Sequence, residues 1–232
     1  MKGAQETGHY LECSNIRKDW DSVSIDFSFT AEKGTLTSIV GPSGSGKSTV
    51  LRTIAGLVRC SDGRIILDGT DITSLPPARR GCGMVFQGAA LFMHMTVEDN
   101  IAYGLRARGM RAKAARKKAG EMLCMLGMRD FARRWPETLS GGEAQRVALA
   151  RTLIVEPRLI LFDEPLSALD APLRKKLGRE IRALQRQRNL TAVMVTHDIA
   201  EAKALSDRII LMRDGKKIWE GDASSFDEAL LG

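Results

Sequence analysis

Eight consecutive residues, Gly41-Pro42-Ser43-Gly44-Ser45-Gly46-Lys47-Ser48, constrain this chain more than any other stretch. They fit the spacing G-x-x-x-x-G-K-[ST]. An apolar run at 35–40 precedes them, and a helix is expected from about 47 to 56. Glycines there let backbone N–H groups curl around phosphate oxygens, and the helix N-terminus adds a favourable dipole. Lys47 can reach the β- and γ-phosphates, and the Ser48 hydroxyl suits Mg2+. Nucleotide binding is therefore the first expectation.

The rest of the chain has to supply the sheet that such a loop needs. Residues 10–13 and 23–29 read as strands. The second alternates apolar and polar with period two, as a half-buried antiparallel strand does. Further strands are expected at 64–67 and 82–86. From about 97 to 155 the chain turns helical, rich in Ala, Leu, Met and Arg, and reads as an inserted lobe. Strands at 159–162, 191–195 and 208–212 then alternate with helices at 171–188 and 198–205. Alternation of this kind argues for a parallel sheet with helices on both faces, with ligands beyond the carboxyl ends of its strands.

Two more segments fall at such ends. Leu159-Ile160-Leu161-Phe162-Asp163-Glu164 is an apolar strand that delivers two carboxylates. Asp163 is placed to hold Mg2+ through water. Glu164, pointing differently, can polarise an attacking water. Leu139-Ser140-Gly141-Gly142-Glu143 opens a helix and makes a second anion-binding N-terminus, which a single phosphate loop does not need.

With these pieces in order, the chain resembles the ATP-binding subunits of ATP-binding cassette (ABC) transporters over nearly all of its length. The matching positions are Trp20, the loop at 41–49 with Thr49 at its end, Gln87, the signature at 139–143, Asp163-Glu164, Ser167-Ala168-Leu169-Asp170, and His197. The resemblance implies an α/β P-loop NTPase with a RecA-like parallel core. An N-terminal antiparallel β subdomain and an inserted helical subdomain complete it. One cassette would fill residues 1–232, with its core at roughly 1–88 and 156–232 and the helical subdomain at roughly 89–155.

It also implies a head-to-tail homodimer in the ATP-bound state, with two ATP molecules between the copies. Trp20 would stack on adenine, and Gln87 would sense Mg2+ and the attacking water. His197 would contact the γ-phosphate and hold Glu164 and the water in line. Ser140 and Gly142, with Gly141 between them, would reach the γ-phosphate of the other copy, and Asp170 would cross the interface. Where the family often has Gln, this chain has Glu143, which places a negative charge near the γ-phosphate face. Where importer ATPases often have Pro after the Gln87 segment, it has Met93.

Composition and charge limit the partners. The net charge of +7 suits nucleic acid, anionic lipid or phosphorylated ligands alike. Seven cations crowd 106–118, namely Arg106, Arg108, Arg111, Lys113, Arg116, Lys117 and Lys118. They read as a solvated helix face, with anionic lipid or an acidic loop as the alternative. No nucleic-acid-reading motif accompanies them, so no nucleic acid is expected. Cys13, Cys60, Cys82 and Cys124 form no C-x-x-C pair, which suits a reducing compartment. The first ten residues are polar, and no run approaches 18 apolar residues.

The apolar residues after Gln87 (Ala89, Ala90, Leu91, Phe92, Met93 and Met95) read either as core or as a groove. By resemblance, the groove near Gln87 and Val97 receives integral membrane permease subunits, and through them a solute-binding protein. The site of action would be the cytoplasmic face of the inner membrane, peripherally bound. Bacterial import is favoured by 75–80 and 91–100. A non-transport ABC ATPase of the iron–sulfur assembly or cell-division type is the alternative. The short loop after Trp20 and the lack of a regulatory domain after 222 look like thiamine importers. Iron(III), molybdate, sulfate and polyamine importers are relatives.

Overall fold

A computed structural model describes residues 9–20 and 23–231, with the backbone alone for Trp20, Val23 and Leu231. The strands are β1 (Leu11–Trp20), β2 (Val23–Ala31), β3 (Leu36–Val40), β4 (Asp62–Leu67), β5 (Thr70–Asp71), β6 (Cys82–Val85), β7 (Leu159–Asp163), β8 (Thr191–Thr196), β9 (Arg208–Arg213) and β10 (Lys216–Asp222). The helices are α1 (Lys47–Ala55), α2 (Val97–Ala107), α3 (Ala112–Met125), α4 (Gly141–Leu153), α5 (Ala171–Gln187) and α6 (Ile199–Leu205).

All ten strands join in one sheet, in the order β5-β4-β1-β2-β10-β9-β3-β8-β7-β6. From β9 to β6 the neighbours are parallel, whereas β1, β2, β4 and β5 pair antiparallel. The parallel strands β3, β7 and β8 are buried along their whole lengths. That is why their sequences run apolar without alternation: helices cover both faces. Period two then sorts their side chains between two cores. Val193, Val195 and Leu161 face α1 and the antiparallel strands. Ala192, Met194, Ile160 and Phe162 face α4 and α5.

The helical segment keeps an apolar cluster of its own, with Ile101 and Leu105 of α2 packed on Ala119 and Leu123 of α3 and Val147 of α4. Thr96 caps α2 by accepting from the Asp99 amide, and Glu98 and Asp99 lie in its first turn, where the helix dipole favours acids.

Besides the two-residue β5, two strands differ from the sequence reading. β1 runs to Trp20 rather than ending at Cys13, because a bulge between Cys13 and Ile16 lets the strand continue past Asn15, whose φ is 51°. β10, absent from that reading, pairs antiparallel with β9. Its polar residues Lys216, Lys217 and Glu220 hide the strand pattern.

Candidate nucleotide site

The phosphate loop links the buried strand β3 to the start of α1. Gly41 packs so closely that a Cβ there would run into the Met212 carbonyl oxygen. Gly46, at φ 99°, caps α1 in a conformation other residues adopt at a cost. Pro42, Ser43 and Gly44 are exposed, Ser45 is buried, and Thr49 is half-buried. Lys47 folds back over this loop, donating to the carbonyls of Gly41 at 2.9 Å and Pro42 at 2.8 Å. Burial lowers its pKa, and the nearby carboxylates Glu164 and Asp163 oppose that shift.

Asp163, at the buried end of β7, accepts from the Ser48 hydroxyl at 2.7 Å. Its other oxygen faces Arg52 at 3.1 Å. Among the described residues no three His, Cys, Asp or Glu side chains converge on a metal position. A hydroxyl and a carboxylate side by side nevertheless fit Mg2+, which keeps several waters and takes its other ligands from phosphate.

Glu164 sits at φ 46°, a left-handed conformation that costs a non-glycine residue ~1–2 kcal/mol. Its amide donates to the Val195 carbonyl at 3.1 Å. Its carboxylate lies 3.1 Å from Nδ1 of His197, the residue just beyond β8. The strand ends of β3, β7 and β8 thus gather Lys47, Ser48, Asp163, Glu164 and His197.

Other expected residues lie apart. Gln87 is exposed just beyond β6, and its side chain makes no hydrogen bond to Asp163 or Glu164. Ser140 caps α4, and Gly142 packs on Leu173 of α5. Among the described residues no hydrogen bond joins 140–142 to the loop at 41–49. Instead the Glu143 carboxylate accepts from the Ser140 amide at 2.7 Å and its hydroxyl at 2.8 Å. Those bonds hold the Glu143 pKa below the usual carboxylate range. Asp170 is the N-cap of α5, accepting from the Leu173 amide at 2.9 Å. The Trp20 side chain lies outside the described residues.

The sequence reading missed the scaffold around these groups. Gln145 of α4 donates to the Gln87 carbonyl at 2.8 Å, and Arg151 donates to the carbonyls of Ala90 at 2.8 Å and Ala89 at 3.1 Å. Ala89 and Ala90 both have positive φ, so Arg151 pins a bent backbone. A polar Gln among the apolar residues of a helix was the available signal. Arg52 is one turn beyond Ser48 on α1, so helical spacing alone places it on the same face.

Glu201 was missed as well. Its carboxyl accepts from Thr196 at 3.2 Å, one oxygen is buried without a partner, and burial raises its pKa to about 7. A carboxyl raised in the folded state loses stability as pH climbs from its unfolded value to about 7, and the full cost persists above that. Glu201→Gln should therefore raise Tm by several degrees at pH 8 and change it little at pH 4. Thermal unfolding at both pH values is the check; equal shifts at the two would count against a buried charge.

Comparison with known proteins adds the following. Residues 25–167 match the family model described as ABC transporter. The chain is 48% identical over 228 residues to the Fe(3+) ions import ATP-binding protein FbpC of Rhizobium etli, covering 94% of this chain and 65% of that protein. It is 49% identical over 217 residues to PhnT of Salmonella typhimurium, named for 2-aminoethylphosphonate import, covering 93% of this chain and 59% of that one. The chain thus spans somewhat under two thirds of these relatives. A solved structure of the ATP-binding cassette MJ0796, a dimer in a post-hydrolysis state bound to ADP and Pi, superposes with a TM-score of 0.81. It shares 33% identity, over 93% of this chain and 100% of that one.

Proposed function

Because this chain belongs to the ABC transporter family, we propose that it is the ATP-hydrolysing motor subunit of a bacterial import complex. Two copies close head to tail on two ATP molecules. The observation that carries the reading is the Glu164–His197 contact beside Lys47, Ser48 and Asp163. Loop amides and Lys47 bind the phosphates. Ser48, Asp163 and Gln87 are the groups for Mg2+, which when bound neutralises charge on the β- and γ-phosphates. Glu164 accepts a proton from the attacking water, and His197 holds that carboxylate in place. Trp20 stacks on adenine, and Asp170 reaches across the interface.

Ser140 and Gly142 of each copy complete the site of the other. Their separation from the loop at 41–49 within one chain supports this, since a single copy leaves the signature donors without a nucleotide. A γ-phosphate arriving there competes with the Glu143 carboxylate for the Ser140 donors. Glu143→Gln keeps an acceptor for the Ser140 amide and removes the repelling charge. It should lower the ATP concentration for half-maximal dimer formation about fivefold, read by size-exclusion chromatography with hydrolysis blocked. A higher requirement would remove Glu143 from the γ-phosphate face.

Permease subunits would dock on the helical segment near Gln87 and Val97. Met93 is 59% exposed there, and the ring of Phe92 lies 4.7 Å from that of Tyr103. Among the described residues no helix is long and apolar enough to cross a membrane. Attachment at the cytoplasmic face of the inner membrane would then run through the permease. The solute is selected by the binding protein and permease, and relatives named for iron(III) and 2-aminoethylphosphonate import leave thiamine no special support. Mass spectrometry of the complex purified from solubilised membranes tests the reading. A permease-type membrane protein at stoichiometric yield is expected; soluble partners alone would favour the non-transport ATPase.

A further inference from the structure

A cleft of about 650 Å3 runs between α5 and α6, leading away from the segment that holds Asp170 and His197. Leu166, Gly178 and Leu205 are buried at its base, and the exposed Ala183 and Ala204 continue the apolar lining outward. The α5 wall reaches from Ala171 to Arg186, which is about 22 Å, or four turns of helix. A compact molecule would fill part of that length, whereas a helix laid alongside would fill all of it.

Charge selects the kind of helix. α5 supplies Arg174, Lys175, Arg179, Arg182 and Arg186, against the acids Asp198 and Glu201 on the other wall. Arg174 is taken by Asp198 at 3.2 Å, and Arg182 is taken by Asp207. Lys175, Arg179 and Arg186 are exposed and have no ion-pair partner among the described residues. Arg179 spends only its Nε, on the Lys175 carbonyl at 3.2 Å. Arg186 adds to the positive field at Asp207 without pairing with it. Three cations with free donors thus line the α5 side of an apolar trough. Long cationic stems can cover apolar surface while their heads reach for acids.

We propose that the cleft docks an acidic amphipathic helix of a partner protein, its apolar face on the floor and its carboxylates against Lys175, Arg179 and Arg186. This is helix-in-groove recognition with charge setting the choice of partner. One end of the cleft adjoins the nucleotide machinery, since Ala171 follows Asp170 and Asp198 caps α6 beside His197; Ala183 and Arg186 lie toward the other end.

The test uses the full chain and two labelled synthetic peptides of about 18 residues. One is a Leu/Glu amphipathic helix and the other its Leu/Lys counterpart. Fluorescence anisotropy should show the acidic peptide binding at least tenfold tighter, with the advantage shrinking in high salt. The double variant Arg179→Glu, Arg186→Glu should abolish the preference. Ala183→Trp, which sets a bulky ring in the cleft lining, should weaken binding about tenfold. ATP binding should be unchanged in both, which separates docking from misfolding. Equal binding of the two peptides, or binding indifferent to these substitutions, would overturn the proposal. So would photo-crosslinking in cells from position 183 that captures a second copy of this chain, a lipid or a basic segment.

Discussion

Glu164→Gln should bind ATP as the parent chain does and hydrolyse it 100- to 10,000-fold more slowly, the range a positioned general base supplies. The substitution keeps the shape of the side chain and a hydrogen-bonding atom near His197, which lies 3.1 Å from the carboxylate. It also keeps the left-handed backbone at 164, because Gln meets the same steric limits as Glu. What it removes is the carboxylate proposed to accept the proton from water. ATP should therefore persist between two closed copies, and dimer should accumulate. Single-turnover hydrolysis beside size-exclusion chromatography separates the steps. Wild-type turnover would take the role of base away from Glu164, and lost ATP binding would show that the carboxylate supports the loop.

Lys47→Ala should act at the earlier step. Its ammonium is buried against two loop carbonyls, so it is already oriented where phosphate oxygens would arrive. Truncating one partner of a desolvated charge pair costs about 2–5 kcal/mol, or a loss of at least ~30-fold in affinity. The neighbouring carboxylates add to this, since Asp163 and Glu164 would then face the phosphates without that cation. Titration with a fluorescent ATP analogue is the check. Affinity within threefold of the parent would mean that the loop amides alone hold the phosphates.

The sequence made the parallel core readable because its strands are buried on both faces and end in chemistry. Val195-Thr196-His197 and Phe162-Asp163-Glu164 announce both facts at once. β1 and β10 were harder, since β1 mixes Glu, Arg, Lys and Asp with its buried Leu11, Cys13 and Ile16 across a bulge, and β10 has no buried residue to set an alternation. The phosphate loop could be read because backbone amides must converge within a few consecutive residues. Contacts between distant residues left no such trace. Arg52 meets Asp163 across 111 positions, and Gln145 meets the Gln87 carbonyl across 58. Local spacing can flag Arg52 or Gln145 itself but not its partner, because it is the tertiary fold that brings the two together.

The bonds from Gln145 and Arg151 to the backbone at 87–90 have a mechanical consequence. α4 is a helix of about 20 Å. Ser140 stands at one end, and the side chains that grip the Gln87 segment project from the body behind it. Pushing the helix along its axis carries both along, so the two positions share one degree of freedom. In the head-to-tail pair proposed above, a chain would not advance its signature toward the other copy without shifting its own Gln87 segment. In that arrangement a single helix, α4, would gear the two nucleotide sites together.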